Sequence, residues 1–303
     1  MRKTYFIILI IGFTFSSCKE GGVDFLANDC KRTPAFFQSM GFDPKYSYFS
    51  TSDIKTMGLV LQQSDQPGNS NAKIIKSIQH PSWRMAGWLA PIVIDNSGNI
   101  FTAPAPFINI LDNPITNQNS IYKVDANTGV MEVFMKLPLT DTTTVQNPFG
   151  IIGMILLCET NTLYVSTLSG SDRQHERGAI YAIDVNTKKV IDKLTATDAM
   201  GLGITYITGK RQLFFGAGRS SDIFSIPLSN KGKFSSSPKN EFSLAGLGSN
   251  GDDKVRRIRT DKLGNLIVYG MAFNYNLIPQ REKKETAYTF FYEIGSKKWI
   301  LKN

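Results

Sequence analysis

The order of apolar runs and turns along this chain predicts an all-β fold: a β-propeller of four-stranded antiparallel blades, five favoured and six the alternative. Three observations carry the expectation. After Pro34, short runs rich in Ile, Val, Phe and Tyr are bounded by Asn, Asp, Gly and Ser, the pattern of strands and tight turns. The runs recur in a fixed order, as an internal repeat. Short and long links also alternate between them.

The clearest unit spans 88–136. Pro91-Ile92-Val93-Ile94-Asp95 reads as a strand, turned at Asn96-Ser97-Gly98-Asn99 into Ile100-Phe101-Thr102-Ala103. A long link leads to Ile121-Tyr122-Lys123-Val124-Asp125, and Asn127-Thr128-Gly129 turns the chain into Val130–Phe134. The same order returns through Gly150–Glu159, Leu163-Tyr164-Val165, Ile180–Asp184 and Lys189-Val190-Ile191. It returns again through Gly203–Tyr206, Gln212–Phe215 and Asp222–Ile226, and last through Val255–Ile258, Gly264–Val268, Phe290–Ile294 and Trp299-Ile300-Leu301. A degenerate copy precedes them at Tyr46–Phe49, Gly58–Leu61 and Lys73–Ile75. Second strands aligned on Phe101, Tyr164, Phe214 and Ile267 are 63, 50 and 53 residues apart. One propeller blade takes roughly 40–50 residues. A β-sandwich is the competing arrangement, but no Pro/Gly/Ser linker separates the units, and radial packing buries both faces of each sheet.

In a blade, links between strands 1 and 2 and between 3 and 4 lie on one face of the disc; the others lie on the opposite face. The first class is short here: 96–99, 126–129, 160–161, 185–188 and 262–264. The second is long: 80–88, 104–119, 138–149, 169–178, 217–222, 246–253 and 273–286. Long loops on a rigid scaffold are where binding residues concentrate. The long-loop face therefore becomes the candidate site, with Trp83, Arg84, Trp88, Phe107, Arg173, His175, Arg177, Arg219, Tyr275 and Arg281 as candidate ligand-binding residues. Arg recognises planar anions bidentately, and aromatic rings offer flat apolar faces. The expected ligand is a small anionic or aromatic molecule, a glycan, or another envelope protein.

Asp261-Lys262-Leu263-Gly264-Asn265-Leu266-Ile267-Val268 and Ile180-Tyr181-Ala182-Ile183-Asp184 resemble the blade motifs of NHL, SMP-30/gluconolactonase and quinoprotein-like propellers. The resemblance covers roughly 85–302 and implies the architecture. Gluconolactonase-like members hold a divalent cation at the channel mouth. The stretch matching their Pro-Asn-Gly motif is Asn147-Pro148-Phe149-Gly150, where Phe149 stands in the ligand position. Asp252 and Asp253 fall where the family's Asp lies. A hard cation takes about six oxygen ligands, so a metal-dependent lactone or ester hydrolase using Ca²⁺ is the alternative, and a cofactor-free binding protein the preferred reading. No catalytic residue is assigned: His80 and His175 stand in loops, without a nucleophile motif such as G-x-S-x-G.

The first residues carry a different signal. Arg2-Lys3 precede the apolar run Tyr5–Phe15, the layout of a secretory signal. The run is shorter than the roughly 20 residues of a membrane-spanning helix. Phe15-Ser16-Ser17-Cys18 resembles the bacterial lipobox of Bacteroidetes-type lipoproteins, with Phe15 where Leu is usual. The resemblance implies cleavage after Ser17, lipid on Cys18, and outer-membrane anchoring of a monomer facing the periplasm or the cell surface. The organisation expected is a signal peptide at 1–17, a lipidated tether at 18–33 and a propeller at 34–303. Net charge is +9 without a Lys/Arg-rich stripe, which disfavours nucleic acid as a partner. Cys30 and Cys158 either pair in an oxidising compartment, or Cys158, ending the apolar run 154–158, is a buried thiol. Asp141-Thr142-Thr143 resembles the O-glycosylation motif of exported Bacteroidetes proteins.

Overall fold

The structure, a computed structural model, describes residues 32–51, 55–67, 72–105, 117–138, 143–144, 147–275 and 285–302. Cys18, Cys30, Phe107, Asp141, Thr142 and Arg281 lie outside them, as do the signal segment and nearly all of the expected tether. The described chain is a five-bladed, all-β propeller of antiparallel sheets. Blade 1 is β1 (Ser47–Ser50), β2 (Val60–Ser64) and β3 (Ile74–Ile78), three strands among the described residues. Blade 2 is β4 (Leu89–Ile94), β5 (Ile100–Pro104), β6 (Ser120–Val124) and β7 (Met131–Lys136). Blade 3 is β8 (Ile151–Leu157), β9 (Thr162–Thr167), β10 (Ala179–Asp184) and β11 (Lys189–Thr195). Blade 4 is β12 (Ala199–Ile207), β13 (Lys210–Ala217), β14 (Asp222–Pro227) and β15 (Lys239–Ser243). Blade 5 is β16 (Lys254–Thr260), β17 (Leu266–Met271), β18 (Thr286–Glu293) and β19 (Lys298–Leu301).

Aspartate closes the short turns. In Asp95-Asn-Ser-Gly-Asn99 one Asp95 oxygen accepts the N–H groups of Ser97 and Asn99 at 2.8 Å, and the other accepts Asn99 Nδ2 at 2.8 Å. Asp261 repeats this with Leu263, Asn265 and Asn265 Nδ2 at 2.8, 2.9 and 2.7 Å. Gly98 and Gly264 take the positive φ (84° and 80°) that these turns require. Between the third and fourth strands, Asp125 and Asp184 do the same for Asn127-Thr128 and Asn186-Thr187.

The core lies between blades. Phe101, Ile121 and Phe134 of blade 2 pack on Leu156, Val165 and Tyr181 of blade 3. Tyr164, Ile180 and Ala182 pack on Ile204, Leu213 and Phe215 of blade 4. Phe214 and Ile223 pack on Val255, Val268 and Trp299 of blade 5. Between blades 1 and 2, Leu59, Leu61, Ile100 and Tyr122 surround Trp83 and Phe36. Phe36 belongs to a short helix α1 (Phe36–Ser39), which docks on the short-turn face: its N–H donates to Ala126 O at 3.1 Å.

Two expectations need correction, and the last two blades add detail beyond the sequence pattern. Trp83 is fully buried, with its Nε1 donating to Gly129 O at 2.8 Å, so it is interior packing and offers no ring to a ligand. Cys158 follows β8 in a turn, half-buried, and is disulfide-bonded to a partner outside the described residues; it is not a buried thiol. The fourth strand of blade 4, β15, is polar except for Phe242, which packs on Phe290, so no apolar period marks it. Its link from β14, residues 228–238, is long although it belongs to the short-turn class. It is held against blade 3, where Tyr164 Oη donates to Gly232 O at 2.6 Å and Asp192 accepts the Phe234 N–H at 2.9 Å. The C-terminal Trp299 segment completes blade 5, as β19 paired with β18.

Asp95→Ala removes three hydrogen bonds at a buried carboxylate. Each of Asp95→Ala and Asp261→Ala should destabilise the fold by about 2 kcal/mol, read as a lowered urea midpoint. An unchanged midpoint would deny these turns their structural role.

Candidate functional site

The inner strands β4, β8, β12 and β16 share one irregularity. Each slips register against its neighbour near its first residues: between Leu89 and Ile92, Ile151 and Gly153, Ala199 and Leu202, and Val255 and Arg257. A bulge inserts an unpaired residue and re-aims its side chain. The residues released are Ala90-Pro91, Ile152, Met200-Gly201 and Arg256. Ile152 and Met200 join Leu168 in a small cluster apart from the inter-blade cores, with half-buried Phe149 and Phe273 packed against it. The two rings meet edge to face with centroids 5.3 Å apart, and Phe273 lies 5.1 Å from the Tyr275 ring. An apolar, aromatic patch thus stands on the long-loop face.

Around it the loops are tied to one buried carboxylate. Asp198, between β11 and β12, is wholly buried. Its Oδ1 accepts Ser171 Oγ at 2.5 Å and the Gly178 N–H at 2.9 Å, and its Oδ2 accepts the Tyr275 hydroxyl. Its own N–H donates to Glu176 Oε1 at 2.7 Å, and its carbonyl accepts the Gly218 N–H at 2.6 Å. Loops from blades 3, 4 and 5 therefore converge on one residue. Burial pushes the Asp198 carboxyl above the usual carboxylate range, against the lowering effect of its hydrogen bonds. Buried Asn147 braces the same region, with Nδ2 donating to Leu168 O at 2.8 Å and Ser171 O at 2.6 Å.

Three exposed basic or titratable side chains sit on this frame. Arg219 donates to the carbonyls of Asp172 and Arg173 at 2.9 and 2.7 Å. Arg173 places Nε and Nη2 on Asn274 Oδ1 at 3.1 and 2.9 Å. His175 Nδ1 lies 3.0 Å from Asp172 Oδ2, and that contact leads the effects lowering Asp172 to about 2. Among the described residues, Arg173 and Arg219 spend their donors on neutral oxygens, and neither is bonded to a carboxylate.

Of the residues expected here, the structure brings Arg173, His175, Arg219 and Tyr275 into one hydrogen-bonded group. Tyr275 enters it as a buried anchor, not as an open ring. Arg177 is exposed, and its N–H donates to Ser171 Oγ at 2.9 Å. Arg84 is exposed and bonded to Gln79, and Trp88 is half-buried just before β4; both belong to the blade 1–2 connection. The sequence reading missed Asp198, Asn147 and Arg256. Asp198 and Asn147 stand in short polar stretches like any loop, while Arg256 carries a signal in hindsight, a charge within an inner strand.

Asp252 and Asp253 do not build a cation site. Asp253 is buried, accepts Tyr288 Oη at 2.8 Å and is closed in by Gly248 and Gly270. Exposed Asp252 offers its carbonyl to Lys254 Nζ at 2.7 Å. Among the described residues no group of three or more His, Cys, Asp or Glu side chains converges as metal ligands. The donors around Asp252 and Asp253 do not fit a hard cation.

Compared with known protein families and with curated proteins, the chain matches none. Solved structures do resemble it. A glucose dehydrogenase aligns over 83% of this chain and 79% of its own at 14% identity, with a TM-score of 0.42. The exo-β-1,3-galactanase of Phanerochaete chrysosporium aligns over 91% and 67% at 10% identity, with a TM-score of 0.46. The aldose sugar dehydrogenase of Escherichia coli aligns over 78% and 77% at 13% identity, with a TM-score of 0.42. Likeness of this degree carries no argument about activity.

The raised Asp198 pKa sets a pH dependence. The stability it contributes is complete below the unfolded value, about 4, and is lost as pH rises through the folded value. Asp198→Asn, neutral throughout, should therefore gain in melting temperature relative to the native protein as pH rises from about 4 to 7. A relative loss over that range would contradict the dominance of burial at Asp198.

Proposed function

We propose that this chain is a lipid-anchored binding propeller of the bacterial envelope, which captures a small anionic ligand with an apolar or aromatic portion on its long-loop face. The observation that carries the reading is the pairing of two guanidiniums bonded to neutral oxygens, Arg173 and Arg219, with the half-buried Phe149–Phe273 pair. They stand on loops tied through Asp198 and Asn147. Fixed cations beside low-dielectric walls attract and orient anions, and preorganised donors lower the ordering cost of binding. The role is capture rather than catalysis. The anchor rests on Arg2-Lys3, the apolar run and Phe15-Ser16-Ser17-Cys18. Several acyl chains at about 0.8 kcal/mol per buried CH₂ hold a protein on a membrane stably. With Cys18 acylated, Cys30 is the partner for the Cys158 disulfide.

Two measurements test this. In the native host, radiolabelled palmitate should enter the protein and be lost with Cys18→Ser, which should also move it from the membrane to the soluble fraction. Calorimetric titration with phenylacetate and galacturonate should show binding that falls about tenfold, or 1.4 kcal/mol, in the double variant Arg173→Ala/Arg219→Ala. Retention of label in Cys18→Ser would remove the anchor, and indifference of all anion binding to the double variant would remove the rim.

A further inference from the structure

Three of the bulged inner-strand positions carry side chains of contrasting chemistry. Ile152 and Met200 are apolar, and Arg256 is a cation. Arg256 is the residue inserted between Val255 and Arg257, where β16 slips against β17. Opposite it on β12 stands Gly201, where a Cβ would come within 2.9 Å of the Arg256–Arg257 backbone. The guanidinium therefore reaches past the neighbouring blade to β8, and its Nη1 donates to Ile152 O at 3.2 Å. Ile152 is itself part of the cluster beneath Phe149 and Phe273. The charge thus lies one residue from the aromatic patch, joined to it through Ile152.

Among the described residues no carboxylate is bonded to this guanidinium. Among the described residues Ile152 O is its bonded partner, and its Nε and Nη2 donors have none. Glu285 attracts it, but that carboxylate is held by Arg257 at 2.5 Å. Burial works against the charged form, yet a guanidinium does not deprotonate in proteins. Arg256 is half-buried, so a guanidinium without a bonded carboxylate is only partly compensated by solvent. A side-on guanidinium edge is also the geometry that receives a carboxylate in two parallel hydrogen bonds.

We propose that Arg256 is the anion-recognising group of an axial site for small monocarboxylates, with the carboxylate on Nε and Nη2 of Arg256 and the apolar tail against Phe149 and Phe273. The inference rests on the reading of the long-loop face as the binding face and names the ligand class that face admits. The rim arginines then draw the anion in, and Arg256 fixes it. Neutral analogues of the same shape are rejected because they leave the guanidinium unpaired.

The test is calorimetric titration of the full-length processed protein with phenylacetate, hexanoate and neutral phenylacetamide. Both carboxylates should bind, and phenylacetamide at least tenfold more weakly than phenylacetate. Arg256→Met should reduce carboxylate affinity at least tenfold and erase the preference over the amide. Arg256→Lys, which keeps the charge but not the fork, should fall between, and it decides the matter if Arg256→Met does not fold. Carboxylate binding that survives both variants, that equals amide binding, or that is absent altogether overturns the proposal. Loss of binding in Arg173→Ala/Arg219→Ala with full binding in Arg256→Met would also overturn it, while leaving the rim reading intact.

Discussion

Radial packing requires the first strand of each blade to approach the next at backbone distance, and side chains stand in the way. At Gly153 a Cβ would lie 2.4 Å from Met200 O, and at Gly203 it would lie 2.6 Å from the Ile258 side chain. Together with Gly201, these glycines let β8, β12 and β16 close on one another. The same approach leaves no room for regular pairing at the strand entrances, where the bulges occur. The residues offered to the axis are thus a by-product of how the ring closes.

That constraint joins scaffold to site. Bulged Met200 is two residues from Asp198, and bulged Arg256 is three from Asp253. Each carboxylate is buried, and each accepts a tyrosine hydroxyl from blade 5: Asp198 from Tyr275 in the loop after β17, Asp253 from Tyr288 on β18. The long loops are consequently held by side chains anchored at the entrances of the inner strands. Rigid loops of this kind can present separated cations without collapsing onto neighbouring carboxylates. Among the described residues, Arg173, Arg219 and Arg256 are bonded to neutral oxygens and not to carboxylates.

The architecture was legible in the sequence because its signals are local. Asp95-Asn-Ser-Gly-Asn99 and Asp261-Lys-Leu-Gly-Asn265 announce the same turn by composition, and the turns fold alike. Strand β15 was not legible: Lys239-Asn-Glu-Phe-Ser243 lies half or fully exposed, so burial imprints no period on it. Trp83 was misplaced because a loop position says nothing about which way an indole points; the cavity between blades 1 and 2 decided that. The carboxylate at Asp198 owes its role to partners 20 to 77 residues away in sequence. No local pattern records such distances.

Residues 32–36 approach the disc from the side of its tight turns: Thr33 and Pro34 lie against Gly98, and Phe36 is bonded to Ala126. Disulfide-bonded Cys158 sits on that side as well, with its carbonyl taking Asn96 Nδ2 at 3.2 Å. A lipid at Cys18, as proposed, would therefore tether the disc through the chain that enters at its tight-turn face, opposite the long loops. The 13 residues from 19 to 31 span at most about 45 Å when fully extended, so the tether would set the reach of the long-loop face above the bilayer.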